Sequence, residues 1–147
     1  MDRDAWTKIP TKKFPWSSPS KKVFITDTGT PACTTISSCI KTIKNIQQND
    51  LIKHFIDIKY NFLIGGSEAT MFEGRGWNIT IEGYPDTLLI ALIGKYNNTV
   101  PNAKMMCAVS RLVEYGRYFL DDNYIEYSDI NNFKLLSDNE IFDCESG

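Results

Sequence analysis

Apolar positions fall along the chain in segments of two different periods. Val23–Thr26 is a short apolar run that reads as a strand, and it stops at the polar turn Thr26-Asp27-Thr28-Gly29-Thr30. From Thr35 the spacing becomes helical: Ile36, Ile40, Ile43 and Gln47 follow i, i+4, i+7 and i+11, with Thr34 or Thr35 able to cap the start. This helix is expected to fade near Asn49-Asp50. "DIKYNFLIGG" (57–66) alternates and ends in two glycines, as a strand entering a turn does, and "TMFEGRGW" (70–77) reads as its hairpin partner. "LLIALIG" (88–94) is a continuous apolar run too short for a typical helix, which fits a central strand covered on both faces. Pro101 introduces a long helix over about 102–120, with Met105, Met106, Val109, Leu112, Val113 and Gly116 on one face. "NNFKLLSDNEIFDC" closes the chain as a short helix capped by Ser137 with Glu140 at the third position. Residues 1–22, with Pro10, Pro15 and Pro19 among Lys and Ser, read as an extended N-terminal arm anchored by Trp6 and Trp16. Helices interleaved with strands give an α/β fold with one central mixed β-sheet flanked by helices. The 147 residues suit one domain over 1–147.

Composition narrows the functional classes. Hydrophobic content of 42% and charged content of 23% are ordinary for a globular protein, and a net charge of −2 leaves no footprint for nucleic acid. Charge is nonetheless polarised. Arg3, Lys8, Lys12, Lys13, Lys21 and Lys22 crowd the start, and Asp121, Asp122, Glu126, Asp129, Asp138, Glu140, Asp143 and Glu145 crowd the end. Such runs are usually solvated faces; the sharper reading is a polarised surface that helps choose a protein partner. No long apolar stretch is present, so this segment is not expected to insert into a membrane. The opening residues carry no signal-peptide pattern, which fits a mature form or an excised ectodomain. An even count of four cysteines and two sequons, Asn78-Ile79-Thr80 and Asn97-Asn98-Thr99, point to an oxidising compartment and to glycosylation at Asn78 and Asn97.

The candidate chemistry is sparse. Cys33 and Cys39 are separated by five residues, against the two to four typical of structural zinc and the two of redox C-x-x-C. A disulfide pinning the turn to the first helical turn fits best, worth roughly 2–2.5 kcal/mol in chain entropy for so short a loop. Cys107 and Cys144 are a second pair by parity, joining the long helix to the C-terminal one, unless they are free buried thiols. His54, the single histidine, reads as an exposed or packing residue between Lys53 and Phe55. Asp27, Asp57, Glu68 and Glu73 are scattered, and no nucleophile–base arrangement is visible. "EGRGWN" (73–78) is the most specific stretch. Its glycines permit a tight turn, and Arg75 and Trp77 can offer charge and stacking to a ligand, or the segment is a hairpin turn with an anchoring Trp.

Taken together, "DIKYNFLIGG…FEGRGWNI", the Cys33/Cys39 pair after "VFIT", and Arg3, Trp6 and Pro10 upstream resemble the peptidoglycan recognition proteins, over roughly residues 3–143. The resemblance implies the fold of type 2 zinc amidases, a central mixed sheet with a muropeptide groove on one face, and Cys33–Cys39 as the family's shared disulfide. The departures from that pattern carry the functional expectation. Catalytic members hold zinc with two histidines and a cysteine. Their places fall here on Thr26, on Tyr127 in "YSDI", and within a residue of Ser137, and hydroxyl and phenol are poor zinc ligands. Without the metal no activated water is available, so no amidase activity and no cofactor are expected. Tyr60 matches a groove tyrosine of the family. The loop "TIEGYPDT" (80–87) is shorter than the family's G-A-H-rich loop, and "NDLIKHFI" (49–56) replaces its usual polar contacts. The resemblance thus implies a degenerate groove around Thr26, Tyr60, Arg75, Trp77 and Tyr127, shallow or filled. The nearest members in pattern are non-catalytic insect ones, the membrane-bound type called LF included. The expected role is an extracellular one, secreted or as a receptor ectodomain. The domain would regulate immune signalling through contacts with a protein partner such as a related receptor ectodomain. The alternative is a domain that binds muropeptide without cutting it.

Overall fold

A computed structural model describes residues 1–10, 19–77 and 79–130. The elements are β1 (Ser20–Asp27), α1 (Ile36–Ile52), β2 (Phe62–Gly65), β3 (Thr70–Glu73), β4 (Thr87–Leu92), α2 (Ala103–Tyr115) and β5 (Leu120–Ser128). They form one mixed sheet in the order β3-β2-β4-β1-β5. β2 and β3 make the expected antiparallel hairpin, and the other pairings are parallel. Every residue of β4 is buried, as its unbroken apolar run requires of a strand covered on both faces.

Alternation along the strands divides the core into two. Val23, Ile25, Ile64, Ile90 and Leu92 point to one face and meet Met105, Met106, Val109, Leu112 and Val113 of α2. Leu63, Phe72, Leu89 and Ala91 point to the other and meet Cys39, Ile43 and Ile46 of α1, together with Trp6. α1 covers the β2–β4 half of that second face. The β1–β5 half lies beside it, with Phe24 half-buried and Ile125 and Tyr127 exposed.

The helix starts follow local chemistry. Thr35 caps α1: its hydroxyl accepts the amide of Ser38, and the Ser38 hydroxyl accepts the amide of Thr35. Asn102, after Pro101, caps α2 by accepting the Met105 amide at 2.9 Å.

Several expected boundaries move. β1 begins at Ser20, so its first turns of backbone belong to the sheet and not to an arm reaching residue 22. α1 runs to Ile52, past Asn49-Asp50, and Ile36 in its first turn is exposed. The strand expected over 57–66 is confined to Phe62–Gly65, because the carbonyls of Asp57, Ile58 and Tyr60 are taken by Arg75. α2 stops at Tyr115. A Cβ on Gly116 would run into the Trp77 ring, and a 3-10 turn at Arg117–Phe119 follows. β5 was not expected from the pattern at all. Trp6 anchors the N-terminal segment as expected, its indole donating to the Glu73 carbonyl at 2.7 Å, and a 3-10 turn at Arg3–Ala5 precedes it. Trp16, Ser137, Cys144 and the C-terminal helix lie outside the described residues.

Candidate functional site

The two places assigned above to zinc-binding histidines do come together, at the carboxyl end of β1 and its neighbour β5. Parallel pairing sets Phe24 opposite Tyr127 and Ile25 opposite Ser128. Two residues further along the same face stand Thr26 and Asp129, and the Thr26 hydroxyl donates to the Asp129 carboxylate at 3.0 Å. The Tyr127 ring lies flat on Phe24, centroids 4.6 Å apart and planes at 12°. Tyr84, from the short loop before β4, stacks on Phe24 from the other direction at 6.0 Å. The three rings form a row across the open half of the face.

These donors do not fit zinc. Thr26 spends its proton on a carboxylate, Tyr127 lies along an aromatic ring, and Asp129 offers a single carboxylate. Among the described residues, no group of three or more His, Cys, Asp or Glu side chains is placed to hold a metal ion.

Tyr60 is buried next to this end of the sheet. Burial pushes its phenol far above the usual tyrosine range, and the carboxylates of Asp50, Asp27 and Asp129 push in the same direction, so it stays neutral. Lys59 sits 5.5 Å over its ring.

Arg75 and Trp77 do not line this surface, which corrects the grouping of five residues into one groove: Arg75 is buried, its amide on the Tyr60 carbonyl, and Trp77 lies on the opposite face of the sheet. Arg75 is 3% exposed. Its guanidinium donates to the carbonyls of Ile58, Thr80 and Asp57 and pairs with Glu82 at 2.6 Å, leaving no charge to offer a ligand. That hydrogen bond holds the Glu82 carboxyl below its usual range. Glu82 also accepts the amide of Ile56 at 3.2 Å, so the ion pair ties the 80–86 loop, and with it Tyr84, to the segment before β2. Trp77 packs on the α2 side of the sheet, between Phe62 at 4.5 Å and Phe119 at 5.3 Å. The hairpin-turn reading of "EGRGWN" is therefore the structural one: Gly76 has φ +81°, and the Asn61 amide donates to the carbonyls of Gly76 and Ile79.

Cys33 and Cys39 are bonded at 2.03 Å, pinning the turn after β1 to α1. Cys107 is also disulfide-bonded. Asn97 is exposed in the turn between β4 and α2, and Asn78 lies outside the described residues. His54 is exposed, with a left-handed φ of 72°.

The sequence reading missed Asp129, Phe24, Tyr84, Glu82 and Asn61. Asp129 was within reach, since it stands two residues after Tyr127 and strand alternation puts both on one face. Asn61 acts through partners 15 to 28 residues away, and Glu82 through Arg75 and Ile56, at spacings that match no helical or strand repeat.

No family model matches the chain. It is 32% identical over 135 residues to mouse peptidoglycan recognition protein 1, covering 84% of this chain and 72% of that protein. It is 32% identical over 141 residues to human peptidoglycan recognition protein 3, covering 90% of this chain but 41% of the relative, so it spans about two fifths of that protein's length. The structure of human PGRP-IBETAC in complex with glycosamyl muramyl pentapeptide superposes with a TM-score of 0.82 at 26% identity, over 97% of each chain. The mixed sheet, the short disulfide, the buried "EGRGW" turn and these likenesses agree: the chain belongs to the peptidoglycan recognition protein family.

Proposed function

We propose that this chain is a non-catalytic peptidoglycan recognition domain. In this reading it works outside the cell in innate immunity, secreted or as a receptor ectodomain, and acts through protein–protein contacts, with a related receptor ectodomain as the partner class. The observation that carries it is the pairing of Thr26 with Asp129 beside the Phe24–Tyr127 stack. Amide hydrolysis at this end of the sheet needs a metal or a strong base to activate water. The side chains standing there are a hydroxyl already committed to a carboxylate and a phenol committed to a ring. Arg75, the one cation of the "EGRGWN" turn, is spent inside the protein.

A second reading has one observation in its favour. PGRP-IBETAC, alike over nearly its whole length, carries a muramyl pentapeptide. This chain would then bind muropeptide on the aromatic row without cutting it. Titration calorimetry with soluble muropeptide separates the two. The first reading expects no heat of binding; saturable heat at micromolar concentrations replaces it with the second.

A further inference from the structure

The open half of the sheet face has an ordered chemistry along the strands. Lys22 stands in register with Ile125, Phe24 with Tyr127, and Thr26 beside Asp129. Alternation puts all six on one face. The stripe therefore runs cation, apolar, anion over five residues, about 13 Å of strand. Its middle is exposed for so apolar a surface: Ile125 is 64% and Tyr127 42% accessible, with Phe24 and Tyr84 half-buried beside them. Lys22 is exposed, and so is Asp129 apart from its bond to Thr26.

A stripe with opposite charges at its two ends is complementary to itself reversed. We infer that this face docks a second copy of the same chain. The two-fold axis would lie in the interface and cross the strands at the Phe24–Tyr127 pair. One copy's Phe24 and Tyr127 would then cover the other's, each Ile125 would lie over the other copy's Thr26–Asp129 pair, and each Lys22 would meet the other copy's Asp129, twice by symmetry. The stripe's six residues are few against the roughly 20–30 a side of a standard interface, so the dimer is a weak one, in the micromolar range or above. This assignment rests on the reading that the face meets protein and not muropeptide.

Sedimentation equilibrium over about 1 to 300 μM, spanning the range expected for so small an interface, tests it with charge reversals at exposed positions. Wild type should dimerise reversibly. Lys22→Glu and Asp129→Lys should each weaken the dimer about tenfold or more, because each sets like charges together twice. An equimolar mixture of the two variants should recover dimer, since every contact in the mixed pair is again Lys with an acid, and so should the double variant. Ile125→Asp should abolish association, with an unchanged thermal melt showing that the fold is kept. A wild type that stays monomeric throughout, or single variants that dimerise as wild type does, overturns the assignment. Muropeptide heat in a chain that still dimerises would instead overturn the functional reading and leave the dimer standing.

Discussion

The turn around Arg75 and the end of β1 around Thr26 belong to one sheet and treat their polar groups in opposite ways. At Arg75 the guanidinium is buried and saturated by three carbonyls and Glu82, and the neighbouring Asn61 amide binds two more carbonyls while its oxygen takes the Leu89 amide at 2.8 Å. At Thr26 the groups are half-exposed, and one hydroxyl–carboxylate bond and a ring stack hold them. The first region could not lose a member without leaving buried polar atoms unpaired. The second can change residue types at little cost to the fold. A family's most recognisable stretch can therefore be its architecture, while the ends of β1 and β5 stand where the fold tolerates substitution.

The largest effect should come from breaking the first region. Arg75→Met removes the guanidinium and leaves Glu82 and three carbonyls without their donor, at an expected cost of about 3–5 kcal/mol. Denaturant unfolding measures it, and a loss below about 1 kcal/mol would mean that Arg75 is not the strut described here.

A subtler difference lies in acid. The hydrogen bond from Arg75 lowers the folded pKa of Glu82, so its stabilisation is present above the unfolded carboxylate range and is lost as pH falls through the folded value. Glu82→Gln should be less stable than wild type at neutral pH, and the gap should close on acidification. Asp50 runs the other way. Burial raises its pKa, so its contribution is full in acid and fades as pH rises through the folded value, and Asp50→Asn should gain stability relative to wild type between acidic and neutral pH. Thermal melts across that range read both; a gap for Glu82→Gln that widens in acid would contradict the assignment.

The smallest effect belongs to the second region. Thr26→Val deletes the bond to Asp129 at a partly exposed site and should shift stability by no more than about 0.5 kcal/mol. A change of the size expected for Arg75→Met would erase the contrast between the two regions.

Legibility in the sequence followed the same division. β4 could be read because a six-residue strand buried on both faces leaves an unbroken apolar run. The α1 cap could be read because Thr35 and Ser38 act within one turn of each other. β5 escaped because it pairs with β1 alone among the described strands and is largely exposed, so Asp121, Asp122, Asn123 and Glu126 break its pattern. The clue that remained was the β-favouring Tyr124, Ile125 and Tyr127. Arg75 and Trp77 looked like ligand groups because Arg and Trp beside glycines fit a binding turn and an anchoring turn equally well. Only partners outside the turn, Ile58 and Glu82 for the one and Phe62 and Phe119 for the other, distinguish them.

Hydrolysis of muropeptide can be measured directly. The chain is incubated with muropeptide and added zinc, and free peptide is followed by mass spectrometry. Peptide release no faster than in a protein-free control is the result the Thr26–Asp129 and Phe24–Tyr127 arrangement predicts. Zinc-dependent release that a chelator stops would contradict it.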